Sequence, residues 1–136
     1  MTVRREVLLW LEAAREDLED AEIAIERRRW FRAAFFAQQA VEKALKALYP
    51  LVLRREPPKI HTVTELYKEL RRGGFKLPPR LEEALYVFNK YYTVTRYPDA
   101  ANGPPSESVD REEALRAYRL AVEVVRAVET TVEEGA

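Results

Sequence analysis

Between Trp30 and Leu53 the chain reads WFRAAFFAQQAVEKALKALYPLVL, and no other stretch limits the fold so tightly. Wound at ~100° per residue, Phe36, Ala37, Ala40, Val41, Ala44, Leu45, Ala47 and Leu48 cover about half of a helix's circumference. Gln39, Glu42, Lys43 and Lys46 fall on the other, polar half. Closely spaced alanines let neighbouring helices approach, so the pattern predicts the central, most buried helix of a bundle. Phe35 falls on the polar side, either as a lid over a core edge or as part of a partner surface. Pro50 lacks an N–H and disfavours helical geometry at Tyr49, so the helix is expected to stop or kink there.

A chain of 136 residues suits one domain with a single core. Glycine is scarce, which favours helices over turns and strands. The absence of cysteine excludes disulfides and thiolate metal sites, and a reducing cytoplasm is the expected setting. No apolar run approaches the ~18 residues that cross a bilayer, and the opening MTVRREVLLWLEAARED has no secretory pattern. The net charge is zero but unevenly spread: residues 1–26 hold three bases and eight acids, 27–80 fourteen and four, 81–136 six and eleven. The positive middle third either pairs with acidic neighbours across helix contacts or offers a surface to phosphates or an acidic partner. Seventeen arginines against six lysines also resemble a heat-adapted composition.

In chain order, the first helix spans about Val3 to Glu26, with Val7, Leu8, Trp10, Leu11, Ala14, Leu18, Ala21 and Ile25 as its apolar stripe. Arg27-Arg28-Arg29 close it, complementing the helix dipole or, with Arg32, holding phosphate. The short turn that follows predicts an antiparallel hairpin with the Trp30 helix. After the loop RREPPKIH, Thr62 and Glu65 read as a capping box for a brief helix, about Val63 to Arg72, stopped by Gly73-Gly74. Pro78 and Pro79 open a fourth helix to about Thr95, with Leu81, Ala84, Leu85, Phe88 and Tyr92 inward. The irregular segment from Arg96 to Ser108 is long enough to be either functional or mobile. Asp110 then caps a last helix, whose stripe is Leu115, Tyr118, Ala121, Val122, Val125, Val128 and Val132. The sum is an all-α fold, an antiparallel up-and-down bundle of four long helices and one short one.

Little of this carries catalytic machinery. One histidine and no cysteine exclude a multi-histidine zinc site and a Cys–His pair, no glycine-rich phosphate loop is present, and nothing asks for a metal or cofactor. One constellation remains. Asn89, Tyr92 and Arg96 share an edge of the fourth helix, and Tyr97-Pro98-Asp99 follows at once. A guanidinium flanked by phenols and an acid suits a phosphate or a stacked base. The alternative is that Arg96 only fixes the loop, through Asp99 and the helix-end carbonyls. His61 lies before the third helix, seven residues after Arg54, as a structural hydrogen-bonder or as a catalytic partner from a second loop.

Taken together these residues resemble the HEPN family, the small helical domain named for nucleotide binding in higher eukaryotes and prokaryotes. The likeness rests on Trp10 with Ala14, Asp17-Leu18 and Ala21, on the run from Phe35 to Leu48, on His61 before Leu66, and on Tyr92 with Arg96-Tyr97-Pro98-Asp99. It implies a homodimer that partners a small nucleotidyltransferase in a two-component, toxin–antitoxin-like module. Many members are metal-independent ribonucleases with a histidine four to six residues after an arginine before the last long helix. Here the residues after Arg96 are Tyr-Pro-Asp-Ala-Ala-Asn-Gly, with no histidine. General acid–base cleavage needs a group titrating near neutrality, so the expectation shifts to binding of a nucleotide or RNA end. Arg96, Tyr97, Tyr92, Asn89 and Asp99 would form that contact. A divergent ribonuclease using Arg96 with His61, and a scaffold without ligand, stay open.

Overall fold

A computed structural model describes residues 3–96, 104 and 107–135, with only the backbone of 93–96. Five helices follow one another: α1 (Val3–Glu26), α2 (Trp30–Leu48), α3 (Val63–Arg72), α4 (Pro79–Arg96) and α5 (Arg111–Gly135). The long helices alternate in direction, and α2 packs against all four of the others. Ala33, Ala34, Ala37, Ala40, Ala44 and Ala47 are fully buried along it, which explains the close approach of so many neighbours.

That crowding corrects the expected polar half of α2. Glu42 is 5% exposed and Lys46 6%, with Gln38 at 1%. Of the expected polar half only Gln39 and Lys43 stay half-buried, and the enclosed polar groups must satisfy one another. They do so by an i, i+4 ion pair, Lys46 Nζ to Glu42 Oε2 at 3.0 Å. Lys43 reaches α1, meeting Asp17 at 2.8 Å. As expected from Pro50, the α-helix ends at Leu48, immediately before Tyr49. The chain continues as a wider π-helical turn over Tyr49–Leu53, a geometry that absorbs the missing N–H. Arg54 then ends it in the left-handed region, at φ 56°.

The α1–α2 turn ends α1 with paired bonds, Arg29 N–H to Ala24 O at 2.8 Å and Arg28 N–H to Ile25 O at 3.0 Å. Arg28 occupies the left-handed position of this motif, at φ 58°, where glycine is the usual residue. At the other end of the bundle Gly74, at φ 108°, plays that part for α3, and the Phe75 N–H returns to Leu70 O at 3.0 Å. The Thr62–Glu65 capping box is not formed. Thr62 precedes α3 and its carbonyl accepts from Glu65 and Leu66, but its side chain makes no cap bond. Asp110 does cap α5, its Oδ1 accepting from the Glu113 N–H at 2.8 Å.

Three apolar stripes hold at most of their expected positions and depart at a few. In α4 the buried tyrosine is Tyr91, fully enclosed and donating to Glu113 at 2.8 Å, while Tyr92 and Ala84 lie half-buried at the edge. In α5 the inward set is Ala114, Ala117, Ala121, Val124, Val125, Val128 and Val132, leaving Leu115, Tyr118 and Val122 half-buried. In α1, Leu8 is exposed, and Asp17 takes a buried place to meet Lys43. Burial outweighs that lysine and raises the Asp17 carboxyl above its usual range. Among the described residues no helix is long and apolar enough to cross a membrane.

Candidate functional site

The loop between α2 and α3 is bent back so that His61 lies against α2 on one side and α4 on the other. Gln38 of α2 fastens its backbone, donating from Nε2 to the His61 carbonyl at 3.2 Å. The same amide nitrogen reaches Glu42 Oε1 at 3.1 Å, and Gln39 Nε2 donates to Gln38 Oε1 at 2.7 Å. Glu42 Oε2 faces the imidazole, with Nδ1 3.0 Å away. A carboxylate only accepts, so Nδ1 carries a proton and donates it, and Nε2 is left as the ring's second functional atom. Lys46 joins the same oxygen, and its ammonium also lies 5.9 Å from the Trp10 ring centre.

The face of the imidazole is covered by Tyr92. The two rings are 4.9 Å apart between centres and 17° from parallel. One turn earlier, Asn89 Nδ2 donates to Thr64 Oγ1 at 3.0 Å, tying α4 to the start of α3. His61 is thus held from below by a carboxylate, from behind by an amide and from the side by a phenol. Its side chain is still 41% exposed. A ring fixed in this way, with one nitrogen committed and an open edge, can accept or pass a proton or hydrogen-bond a ligand without first being ordered.

The structure therefore brings together residues that the sequence kept apart. Asn89 and Tyr92 stand on α4 as expected, and His61 joins them from the other loop rather than pairing with Arg54. Arg54 instead lines a groove of about 520 Å³ with Val3, Pro50, Leu51 and Arg55, at the opposite end of the bundle from the α4 C-terminus. Arg55 is occupied, meeting Glu69 at 2.5 Å over the Tyr49 ring. Arg96 is the last residue of α4, one helical turn beyond Tyr92. Its side chain, together with Tyr97 and Asp99, lies outside the described residues. Glu42, Lys46 and Gln38 went unrecognised as site residues. The signal was present as three polar positions at i, i+4 and i+8 on an alanine-rich helix. Phe35 is half-buried in an aromatic group, stacked on Phe31 at 6.5 Å and tilted against Phe36 at 5.8 Å. Among the described residues no three His, Asp or Glu side chains converge as a metal site.

Comparison with known proteins agrees with this architecture. Residues 7–131 match the profile of the HEPN domain. The crystal structure of TT1696 from Thermus thermophilus is similar at 36% identity and a TM-score of 0.81, over 92% of this chain and 97% of that one. An archaeal HEPN homologue, ST0689, is similar at 26% identity and a TM-score of 0.75, over 93% of this chain and 98% of that one. No curated protein is similar enough to count as a match. With its all-helical bundle matching those structures and the profile spanning nearly its whole length, this chain belongs to the HEPN domain family.

Proposed function

We propose that this HEPN protein binds a nucleotide or an RNA end at the C-terminal edge of α4, as the partner of a small nucleotidyltransferase in a two-component, toxin–antitoxin-like module. The observation that carries the reading is the His61–Tyr92 stack, one turn from Arg96 and fixed from beneath by Glu42. Arg96 supplies charge for a phosphate, the paired rings supply a flat surface and a hydrogen-bonding edge for a base, and Asn89 steadies the helix that carries them. Tyr97 and Asp99, outside the described residues, are the further ligand contacts expected from the sequence. A homodimer, expected from the resemblance, would set two such corners in one assembly.

The test is binding of AMP and ATP, read by thermal shift and calorimetry on wild type, Arg96→Ala and Tyr92→Ala. A ligand at ~100 times its Kd adds about 2.7 kcal/mol of stability, a clear shift in the melting curve. Wild type should show the shift and both variants should lose it while melting as usual without ligand. Variants that bind as wild type does would remove the corner from the account. Copurification of the protein with a nucleotidyltransferase encoded beside it tests the partner.

A ribonuclease is the second reading, favoured by the free Nε2 of a carboxylate-oriented imidazole close to α4. In that chemistry Nε2 takes the proton of a ribose 2′-hydroxyl, its oxygen attacks the adjacent phosphorus, and the 5′-oxygen leaves with a proton from a general acid. Cleavage of RNA by wild type and not by His61→Ala would establish it. Equal cleavage by both would remove it.

A further inference from the structure

At the end of the bundle away from the α4 C-terminus, the first turns of α1 face the π-helical turn and the loop after it. Two hollows lie side by side there. One, of about 520 Å³, is walled by Val3, Pro50 and Leu51 and includes Arg54 in its lining. The other, of about 450 Å³, is walled by Leu9 and Trp10. Glu6 and Glu56 line both, so a pair of carboxylates stands where the hollows meet. From Val3 to Trp10 the helix rises roughly 10 Å, which an extended chain at ~3.3 Å per residue crosses with about three residues.

The floor of this groove is fixed by its backbone. Arg54 holds φ 56°, a strained conformation for a residue with a side chain, and such strain persists where the surroundings over-determine it. A Cβ on Gly73 would come within 2.6 Å of Leu53 Cδ2 and 2.8 Å of Val52 Cγ1, so the end of α3 backs the π-helical turn closely. On the other side α5 ends beside Leu51, whose Cδ2 would meet a Cβ on Gly135 at 3.5 Å. The turn is wedged between two helix ends. Across from it, α1 leaves apolar side chains in water. Of the five large apolar side chains exposed among the described residues, Val3, Leu8 and Leu9 lie in its first two turns.

The chemistry along the groove changes in kind, from aliphatic to acidic to aliphatic and aromatic, with a guanidinium at the Pro50 end. Two carboxylates repel a polyanion there, and Arg54 repels a polycation. Among the described residues no group of three His, Asp or Glu forms that would hold a metal ion. A polypeptide fits, because its side chains change in kind from one residue to the next. Its apolar side chains fill the hollows, and a lysine or arginine lays its methylenes along them while its charge reaches the carboxylates.

We propose that this groove takes an extended segment of a partner protein in which a lysine or arginine stands between two apolar residues. The apolar residues occupy the Val3–Leu51 and Leu9–Trp10 hollows, and the cation lies between Glu6 and Glu56. The segment sits at the opposite end of the bundle from the His61–Tyr92 corner, and the inference does not rest on that reading.

Random heptapeptides displayed on phage are panned against the intact protein. The enriched peptide is then synthesised with a fluorescein label and titrated by anisotropy into wild type, Glu56→Gln, Glu6→Gln/Glu56→Gln and Leu9→Ser. Glu56 lies outside every helix and Leu9 is exposed, so the two single variants should melt as wild type does. Enriched peptides should carry a basic residue with an apolar residue within two positions on each side. The double variant should bind the peptide at least about fivefold more weakly, the scale of two partly exposed ion pairs, and both single variants should bind more weakly than wild type. AMP titrated beside the peptide should behave as in wild type in all three, so this reading and the corner reading fail separately. Enrichment of acidic peptides, or of none, would overturn the proposal, as would equal affinity in the double variant and wild type. Loss of peptide binding as the protein is concentrated into a dimer would give the groove to a second copy and overturn it too.

Discussion

Replacing Lys46 with methionine tests whether the buried network beneath His61 is an electrostatic unit. Lys46 and Glu42 are 8% and 6% exposed at their side chains and share a 3.0 Å contact. Methionine keeps most of the packing against Trp10 but removes the ammonium. Breaking a buried pair on one side typically costs about 3–5 kcal/mol, because the remaining charge is stranded away from water. Here Glu42 keeps donors in Gln38 and His61, so the loss should fall at the lower end, ~3 kcal/mol. Each kcal/mol moves the melting point of a domain this size by roughly 4 °C, so the variant should melt about 12 °C lower. Glu42→Gln in the Lys46→Met background removes the stranded charge and keeps an oxygen that accepts from Gln38, while its amide N–H meets His61 Nδ1 once the imidazole takes its other tautomer. The double variant should recover about 2 kcal/mol relative to the sum of the singles. Urea denaturation of the four proteins gives the cycle. A Lys46→Met cost below ~1 kcal/mol, or strict additivity in the double variant, would refute the idea that these charges depend on each other.

Three further outcomes follow from features that the network does not touch. Arg28→Gly relieves a left-handed residue and should stabilise the protein by about 0.5–1 kcal/mol in urea melts, the reverse of most glycine substitutions in helices. Asp110→Ala removes the cap of α5 and should cost ~1 kcal/mol by the same measurement, whereas Thr62→Ala, which loses no cap bond, should cost less. The Glu69 carboxyl is held below its usual value by the Tyr49 hydroxyl and then by Arg55, so its contribution is present above pH 4.5 and lost as pH falls through the folded-state value. Glu69→Gln should therefore flatten the acid limb of the stability profile, seen in urea midpoints measured down that range.

Helix boundaries were the legible part of the sequence. The apolar spacing of α1 and the double glycine after α3 fix Val3–Glu26 and Val63–Arg72 because both signals are local. Hydrophobic period also separates a half-buried helix from water, which suffices for an all-α bundle. It fails for α2, because a period cannot report how many neighbours a helix has. Glu42 and Lys46 look solvated by spacing and are enclosed by packing. The exchange of Tyr91 for Tyr92 has a similar origin. Spacing put Tyr92 in line with Leu81, Leu85 and Phe88, yet Glu113 of α5 supplies the hydroxyl of Tyr91 with a partner that offsets the cost of its burial. The approach of His61 to α4 was beyond reach, since it depends on a loop conformation set by Gln38 from another helix.

Gln38 bonds the backbone of that loop and the carboxylate beneath the ring with one amide nitrogen, so the imidazole is fixed at both its root and its edge. A guest arriving at this edge meets a surface that is already frozen. Association there should proceed with little loss of protein entropy, and its rate should be limited by encounter rather than by rearrangement. The same rigidity restricts adaptation: ligands of a different outline must fit the existing ring plane or fail to bind.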